Sequence, residues 1–167
     1  MLIGALVWAY GRDRAGYARF RDVVLVTNAL GLVGYVAFPA APPRVYGAAG
    51  FSNGLSGQPL PAHAGGLIGF AANPYAAMPS IHVADALVVG AFLALLVRSP
   101  VLRVLWLLWP LWIAFAVVAT ANHFWLDAAG GTAAVLIAVG LTAIPRRLAA
   151  LRQRRAGRPC EPRPRRP

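Results

Sequence analysis

Three long apolar stretches, at residues 80–97, 101–119 and 122–144, dominate the chain. Each contains 18 to 23 residues, and a helix of that length, at about 1.5 Å per residue, crosses a hydrocarbon core about 30 Å thick. A fourth apolar run, at 23–38, is slightly shorter and is followed by prolines. With 59% hydrophobic and 13% charged residues, the chain is too apolar for a soluble domain. The sequence therefore predicts an all-α, polytopic transmembrane helix bundle with four full spans.

The first 22 residues do not form a further full span. Residues 1–10 are apolar, but they are about half of the roughly twenty residues that a crossing needs. Residues 11–22 carry four arginines, and charge that follows the apolar segment is the reverse of the order in a signal peptide. We expect residues 1–22 to form a partial N-terminal helix and a charged cytoplasmic connector.

The stretch 40–77 is rich in glycine and proline and has Arg44 as its only arginine or lysine. Loops of this length inside compact domains are usually functional or disordered. The near absence of charge favours a position at the membrane interface. We therefore expect a partly helical lid on the outer face of a membrane-embedded bundle that comprises residues 23–145.

The positive charge of the chain is concentrated after Pro145. The net charge is +11, and nine of the sixteen arginines lie in the segment 146–167. We predict a disordered cytoplasmic tail that is attracted to anionic lipid headgroups. No aromatic residues alternate with these charges, so we expect no nucleic acid partner. Because arginine clusters alternate with uncharged segment ends, the positive-inside rule places the starts of the histidine-bearing helices on the outer face of the cell membrane.

Ionisable side chains within apolar segments are candidates for function, because a charge at membrane depth costs at least about 2.5 kcal/mol. A single histidine near a helix end is often an interfacial anchor. Two histidines at similar depth, with carboxylates and an arginine nearby, favour chemistry instead. The residues concerned are His82, Asp85, His123, Asp127 and, in the loop, Arg44.

Pro79 and Ser80 mark the start of the helix that bears His82. The free N–H groups and the positive dipole end of a helix start form an anion site, and phosphate is the obvious anion. Asp85 lies one turn further along, where it could tune His82, bind a polar headgroup or pair with another residue of the bundle.

His123 and Asp127 are four residues apart, so on a helix they share one face. A carboxylate that holds one ring nitrogen fixes the tautomer and leaves the other nitrogen as a better nucleophile or base. The same pair could instead contribute two ligands to a metal site, and we keep that alternative open.

Three segments together resemble the signature motifs of the type 2 phosphatidic acid phosphatase superfamily. Within it they are most similar to the inositolphosphotransferase branch typified by fungal inositol-phosphorylceramide synthase. The segments are Pro39-Ala40-Ala41-Pro42-Pro43-Arg44, Met78-Pro79-Ser80-Ile81-His82 and Asn122-His123-Phe124-Trp125-Leu126-Asp127.

This resemblance implies a role for each candidate residue. His123 would attack phosphorus and carry a phosphohistidine, with Asp127 orienting it, and His82 would protonate the leaving oxygen. Arg44 and Ser80 would hold the phosphoryl oxygens. The resemblance implies neither a metal nor an organic cofactor, and it implies a membrane phospholipid as the substrate. We place Asp85 with the substrate-binding residues.

The chain also departs from the wider family. The lysine of the first motif has no counterpart, and Val117 stands where the third motif has an arginine. Fewer cations suit a singly charged phosphodiester, so we expect headgroup transfer. The alternatives are a lipid phosphate or prenyl diphosphate phosphatase, and a non-catalytic lipid-binding or assembly protein. The family core has more membrane helices than this chain, so we also expect a missing start, a second copy or partner helices to complete the bundle.

Overall fold

The computed structural model describes residues 1–43 and 77–156, with side chains described as far as Arg147. In these ranges five helices follow one another: α1 Leu2–Arg12, α2 Arg14–Ala37, α3 Ile81–Leu96, α4 Pro100–Ala119 and α5 Trp125–Ala156. The all-α prediction is confirmed. Most of the predicted lid and the last eleven residues of the predicted tail lie outside the described residues.

Three helices are long and apolar enough to cross a membrane, namely α2, α4 and the part of α5 from Trp125 to Arg147. The chain is therefore a membrane protein. The remaining predicted span, α3, has 16 residues, about 24 Å at 1.5 Å per residue, and is shorter than expected. It ends at Leu96 because Val97 is extended and Pro100 starts the next helix.

The prediction that residues 11–22 form a charged connector is wrong, because α2 begins at Arg14 and continues without a break through this segment. Asp13 is extended between α1 and α2, and its carboxylate accepts a hydrogen bond of 3.0 Å from the backbone N–H of Ala15. This is an N-cap, and the arginines that follow are good helix formers. Charge alone therefore gives the wrong start for this helix.

The helix does not end at Pro145 as predicted, because α5 continues to Ala156, although its part that is apolar enough to span a membrane ends at Arg147. The first eleven residues of the predicted disordered tail are thus helical. Leucine, alanine, glutamine and arginine fill this extension and are strong helix formers. Next to Pro145, Arg146 Nη2 lies 2.6 Å from Asp22 Oδ2, which joins α5 to the N-terminal half of α2.

The short helix α3 lies in the middle of the bundle and contacts the other four helices. Its inner side joins a core cluster in which the rings of Phe20 and Phe92 stack with centroids 4.2 Å apart. By contrast, α4 buries only Pro110 and exposes most of its large apolar side chains. A helix with this distribution fits a lipid-facing position, where association depends on packing and not on removal of apolar surface from water.

The two ends of the bundle carry different residues. At the site end, α2 and α4 finish while α3 and α5 begin, and both histidines of the described ranges lie there. At the arginine end, α2 and α4 begin while α3 and α5 finish. Every arginine whose side chain is described belongs to the arginine end: Arg12, Arg14, Arg19, Arg21, Arg98, Arg103, Arg146 and Arg147.

Candidate active site

The start of α3 is fixed to two other parts of the chain by hydrogen bonds. The N–H of Ala77 donates to the carbonyl of Ala40 at 3.0 Å, and the N–H of Ser80 donates to the carbonyl of Asp127 at 2.9 Å. The hydroxyl of Tyr35, near the end of α2, lies close to the backbone of Ile81. The first turn of α3 is therefore held between α2 and α5.

Two glycines allow the neighbouring helices to approach this turn closely. A Cβ at Gly131 of α5 would lie 2.4 Å from the carbonyl oxygen of Ser80, and a Cβ at Gly34 of α2 would lie 2.3 Å from Pro79. Small residues at such crossings let helix backbones pack directly in membranes. The close approach sets the distance between the starts of α3 and α5.

The turn between α4 and α5 positions His123. The N–H groups of Asn122 and His123 both donate to the carbonyl of Val117, at 3.0 and 3.1 Å, and Ala121 adopts a left-handed conformation with φ of 54°. His123 therefore precedes α5, contrary to the prediction that it shares a helix with Asp127. The Asp127 carboxylate accepts a 2.8 Å hydrogen bond from the N–H of Phe124 and so caps the start of α5.

His123 is held on one side through its Nδ1 atom and is 5% exposed. Nδ1 lies 2.9 Å from the carbonyl oxygen of Ala77 and 3.5 Å from Asp127 Oδ2. Both neighbours are acceptors, so Nδ1 carries the proton and Nε2 keeps its lone pair. The shorter contact belongs to the backbone carbonyl, which the sequence did not suggest, and the carboxylate supports it from slightly farther away.

The free nitrogen of His123 faces His82. His123 Nε2 lies 3.3 Å from His82 Nδ1, and the ring centroids are 5.5 Å apart at an angle of 60°. His82 belongs to the first turn of α3 and is exposed, whereas His123 is buried. The structure thus brings together one fixed imidazole and one that has room to turn.

The surroundings of His123 favour its neutral form. Burial lowers the pKa of His123 below its ordinary value, and the nearby charge of His82 lowers it further, against the opposing effect of Asp127. A neutral imidazole with a free Nε2 is the form that can act as a nucleophile or base.

Ser80 lies at the N-cap of α3 and is fully buried. Its hydroxyl has no hydrogen-bond partner among the described residues, although buried hydroxyls are normally paired. The hydroxyl adjoins the first turn of α3, whose N–H groups have no carbonyl partner within the helix. An anion site at this helix start stays a prediction, and the unpartnered hydroxyl is the observation that supports it.

Of the two remaining predicted substrate-binding residues, the structure describes Asp85 but not Arg44. The Asp85 carboxylate is half-buried and accepts a 3.0 Å hydrogen bond from Asn28 of α2. Arg44, the predicted phosphate-binding cation, lies outside the described residues. Within the parts of the chain that are described, the site end has no arginine.

In the described ranges, no group of three or more histidine, cysteine, aspartate or glutamate side chains is placed to hold a metal ion. The geometry gives the reason. Asp127 approaches the Nδ1 side of His123, whereas His82 faces its Nε2. The carboxylate and the second imidazole therefore lie on opposite sides of the ring and do not converge.

Sequence reasoning missed three contributors to the site: the carbonyl of Ala77, the amide of Asn28 and the hydroxyl of Tyr35. The carbonyl has no signal in the sequence because every residue has one. Asn28 and Tyr35 do have a signal, since each is a polar side chain in an apolar segment.

Paired imidazoles at the ends of membrane helices, one of them neutral and fixed, define a membrane protein with a histidine-based site. The family model described as the PAP2 superfamily matches residues 1–141, and the chain belongs to this superfamily. It is accordingly an enzyme of the phosphatase or phosphotransferase type that acts on lipids. Comparisons with curated proteins and with solved structures gave no match.

Proposed function

We propose that this protein transfers a phosphate-bearing group from a membrane phospholipid through a phosphohistidine on His123. The observation that supports this proposal is the arrangement of the two rings. His123 Nδ1 is held at 2.9 Å by the carbonyl of Ala77, and its Nε2 faces His82. A nucleophile oriented on one side and paired with a second proton-transfer group on the other is the usual arrangement for covalent catalysis.

The reaction proceeds in two steps. The Nε2 lone pair of His123 attacks phosphorus, an N–P bond forms, and the P–O bond to the leaving alcohol breaks as His82 gives its proton to that oxygen. In the second step, His82 takes a proton from the acceptor hydroxyl. The acceptor oxygen then attacks phosphorus and the N–P bond breaks, which restores both histidines.

The present separation of the rings describes the enzyme without substrate. At 3.3 Å between His82 Nδ1 and His123 Nε2, there is no space for a phosphoryl group between them. A bound phosphate would replace this contact, and His82 is the ring that moves because it is exposed. Contacts in substrate-free sites commonly rearrange in this way on binding.

The phosphoryl oxygens require donors, and we propose Ser80, the first-turn N–H groups of α3 and Arg44 for this role. The Ser80 hydroxyl supports the assignment because it is buried and has no partner among the described residues. Phosphoryl transfer depends mainly on positioning and charge neutralisation, which a helix start and a guanidinium can supply.

Within the superfamily we propose an inositolphosphotransferase-like activity. The lack of a counterpart for the first-motif lysine and the presence of Val117 in the third motif leave fewer cations than a doubly charged phosphomonoester would favour. A phosphodiester carries one charge. We therefore expect a phosphodiester donor and an alcohol acceptor instead of simple dephosphorylation.

The test is incubation of the purified protein with a mixed bacterial-type lipid extract, with products identified by mass. New headgroup-bearing lipids that are absent with His123→Ala would support transfer. Release of free phosphate from phosphatidic acid, without transfer, would show a phosphatase. Binding of phospholipid without any turnover would show a non-catalytic lipid-binding protein.

The phosphohistidine itself can be trapped by a rapid alkaline quench and intact-mass analysis. We expect an adduct on the wild type that is lost in acid and is absent with His123→Ala. Turnover that persists in chelator and is inhibited by vanadate is expected from this mechanism. Loss of activity in chelator would support the alternative metal site.

We also propose that the site end faces the outside of the cell membrane and that the arginine end faces the cytoplasm. This orientation follows from the positive-inside rule applied to the arginines. Alkaline phosphatase fused after Ala156 should be inactive, because it would remain in the cytoplasm. An active fusion would reverse the orientation.

A further inference from the structure

Asp85 is an ionisable side chain in the apolar interior that the histidine chemistry described above does not use. It lies on α3 three residues after His82, so the two side chains share one face of the helix, about 5–6 Å apart at their Cβ atoms. Both line a cavity of about 180 Å³ between α1, α3 and α4. The other walls are apolar or aromatic and include Val89, Trp109 and Ile113.

Asn28 holds the Asp85 carboxylate from the neighbouring helix. Its Nδ2 atom donates to Asp85 Oδ1 and to the carbonyl of Val24, each at 3.0 Å. Both partners are acceptors, which determines the orientation of the amide. The contact occupies one carboxylate oxygen.

Pairing between helices does not by itself explain a carboxylate at this position. Asn28 is neutral, and no arginine side chain in the described ranges contacts Asp85. A neutral amide at residue 85 could accept the same hydrogen bond without the cost of a charge in an apolar setting. A carboxylate has two oxygens that accept hydrogen bonds, whereas an amide has one. Hydrogen bonds to a charged carboxylate are also stronger.

We infer that Asp85, positioned by Asn28, accepts a hydrogen bond from a hydroxyl group of the lipid alcohol that carries the phosphate ester. The inference rests on the phosphoryl-transfer function proposed above. The apolar chain of that alcohol would lie along Val89, Trp109 and Ile113. In a lysophospholipid a free hydroxyl lies on the carbon next to the ester carbon, and the ester oxygen and this hydroxyl together can reach His82 and Asp85, which are one turn of helix apart.

The position of His82 supports binding of the alcohol in the cavity that His82 and Asp85 line. In the proposed reaction His82 exchanges a proton with the leaving or accepting oxygen, so the alcohol lies on the His82 side of phosphorus. The cavity begins at His82 and continues past Asp85 between apolar walls. These walls suit an alcohol with a hydrocarbon chain better than a free polyol or water.

The experiment compares two lysophospholipids that differ only in the hydroxyl next to the phosphate ester. They are lysophosphatidylinositol and its 2-deoxyglycerol analogue, or the corresponding lysophosphatidates if the lipid extract experiment shows a phosphatase. The full chain is assayed in lipid nanodiscs for kcat/KM. We expect the wild type to prefer the hydroxyl-bearing lipid about tenfold, in line with a hydrogen bond to a charged group.

Asp85→Asn should reduce this preference to less than about threefold, mainly through KM, while the pH profile keeps the same limbs. Its amide can still accept the hydrogen bond from Asn28, so the helix contact survives. Asn28→Ala should reduce the preference less, because the carboxylate remains but is no longer held. Asp22→Asn, a matched substitution at the arginine end, should keep the full preference.

An unchanged preference with Asp85→Asn would overturn the inference while the proposed function stands. A displaced limb of the pH profile with the preference intact would do the same, and would show that Asp85 acts on His82. Absence of turnover of any lipid by the wild type would remove the proposed function and this inference with it.

Discussion

The two ends of the bundle are held together in different ways. At the site end, backbone groups bond directly across helices, as in the 2.9 Å contact from the N–H of Ser80 to the carbonyl of Asp127, and Gly131 has no space for a side chain. At the arginine end, exposed ion pairs join Asp22 to Arg21 and Arg146. Exposed ion pairs contribute little to stability, so their loss should have a small effect. Closely packed backbone contacts leave no space for a larger side chain, so a substitution there should have a large effect. The comparison therefore predicts where substitutions have large effects.

The largest effect is expected from His123→Ala. Loss of the nucleophile should lower kcat by on the order of 10⁴-fold or more, with little change in lipid binding because the phosphate-binding groups remain. The measurement is single-turnover kinetics on the lipid selected by the extract experiment, with thermal melts as the control for folding. Activity within tenfold of the wild type would show that another residue is the nucleophile.

His82→Gln should reduce kcat by about 10³-fold, which is typical for loss of a general acid or base. Glutamine keeps a polar side chain of similar length but cannot exchange a proton at neutral pH. The loss should be smaller for a lipid whose leaving group is more acidic, because such a group needs less protonation. Equal losses for good and poor leaving groups would contradict a proton-transfer role.

Gly131→Ala tests the close packing of the site end. The added methyl group would meet the carbonyl of Ser80, and overpacking of this kind costs about 1–3 kcal/mol. A shift of the start of α3 should also lower activity by about 10- to 100-fold. Gly140→Ala is the matched control on the same helix, because a Cβ there meets nothing within 4 Å. Similar melting temperatures and activities for the two variants would contradict the packing argument.

The pH dependence of kcat/KM should show the environment of His123. Because burial lowers its pKa, the neutral nucleophile persists below the ordinary histidine value of about 6.5. Activity should therefore be retained as the pH falls to that value and be lost only below it. Below that pH, the remaining activity should be a few-fold higher than an ordinary histidine would give. An acidic limb, the loss of activity as the pH falls, at or above this value would show that His123 is more accessible to solvent than the structure indicates.

The smallest effect is expected at the arginine end. Asp22→Asn removes the carboxylate that two arginines share, and it should change the melting temperature by less than about 3 °C and leave turnover unaffected. A large loss of stability would show that this end is as tightly constrained as the site end.

Much of the fold could be predicted from the order of residues, because apolar length and arginine position are local properties. The existence of the helices in the described ranges follows from them. The boundaries were less accurate. The cap formed by Asp13 starts α2 earlier than charge suggested, and strong helix formers extend α5 beyond Pro145. In both cases arginines were interpreted as lying outside a helix, before its start or after its end, although they favour helix formation.

The sequence by itself determined that the chain is a helical membrane protein and which ionisable residues lie within its apolar segments, because both depend on composition and spacing. Only the tertiary structure decided which groups meet. The carbonyl of Ala77 holds His123, and Asn28 holds Asp85, across separations of 46 and 57 residues. Such contacts depend on how closely helices pack and on which way a ring or a carboxylate points, and spacing along one chain does not contain that information.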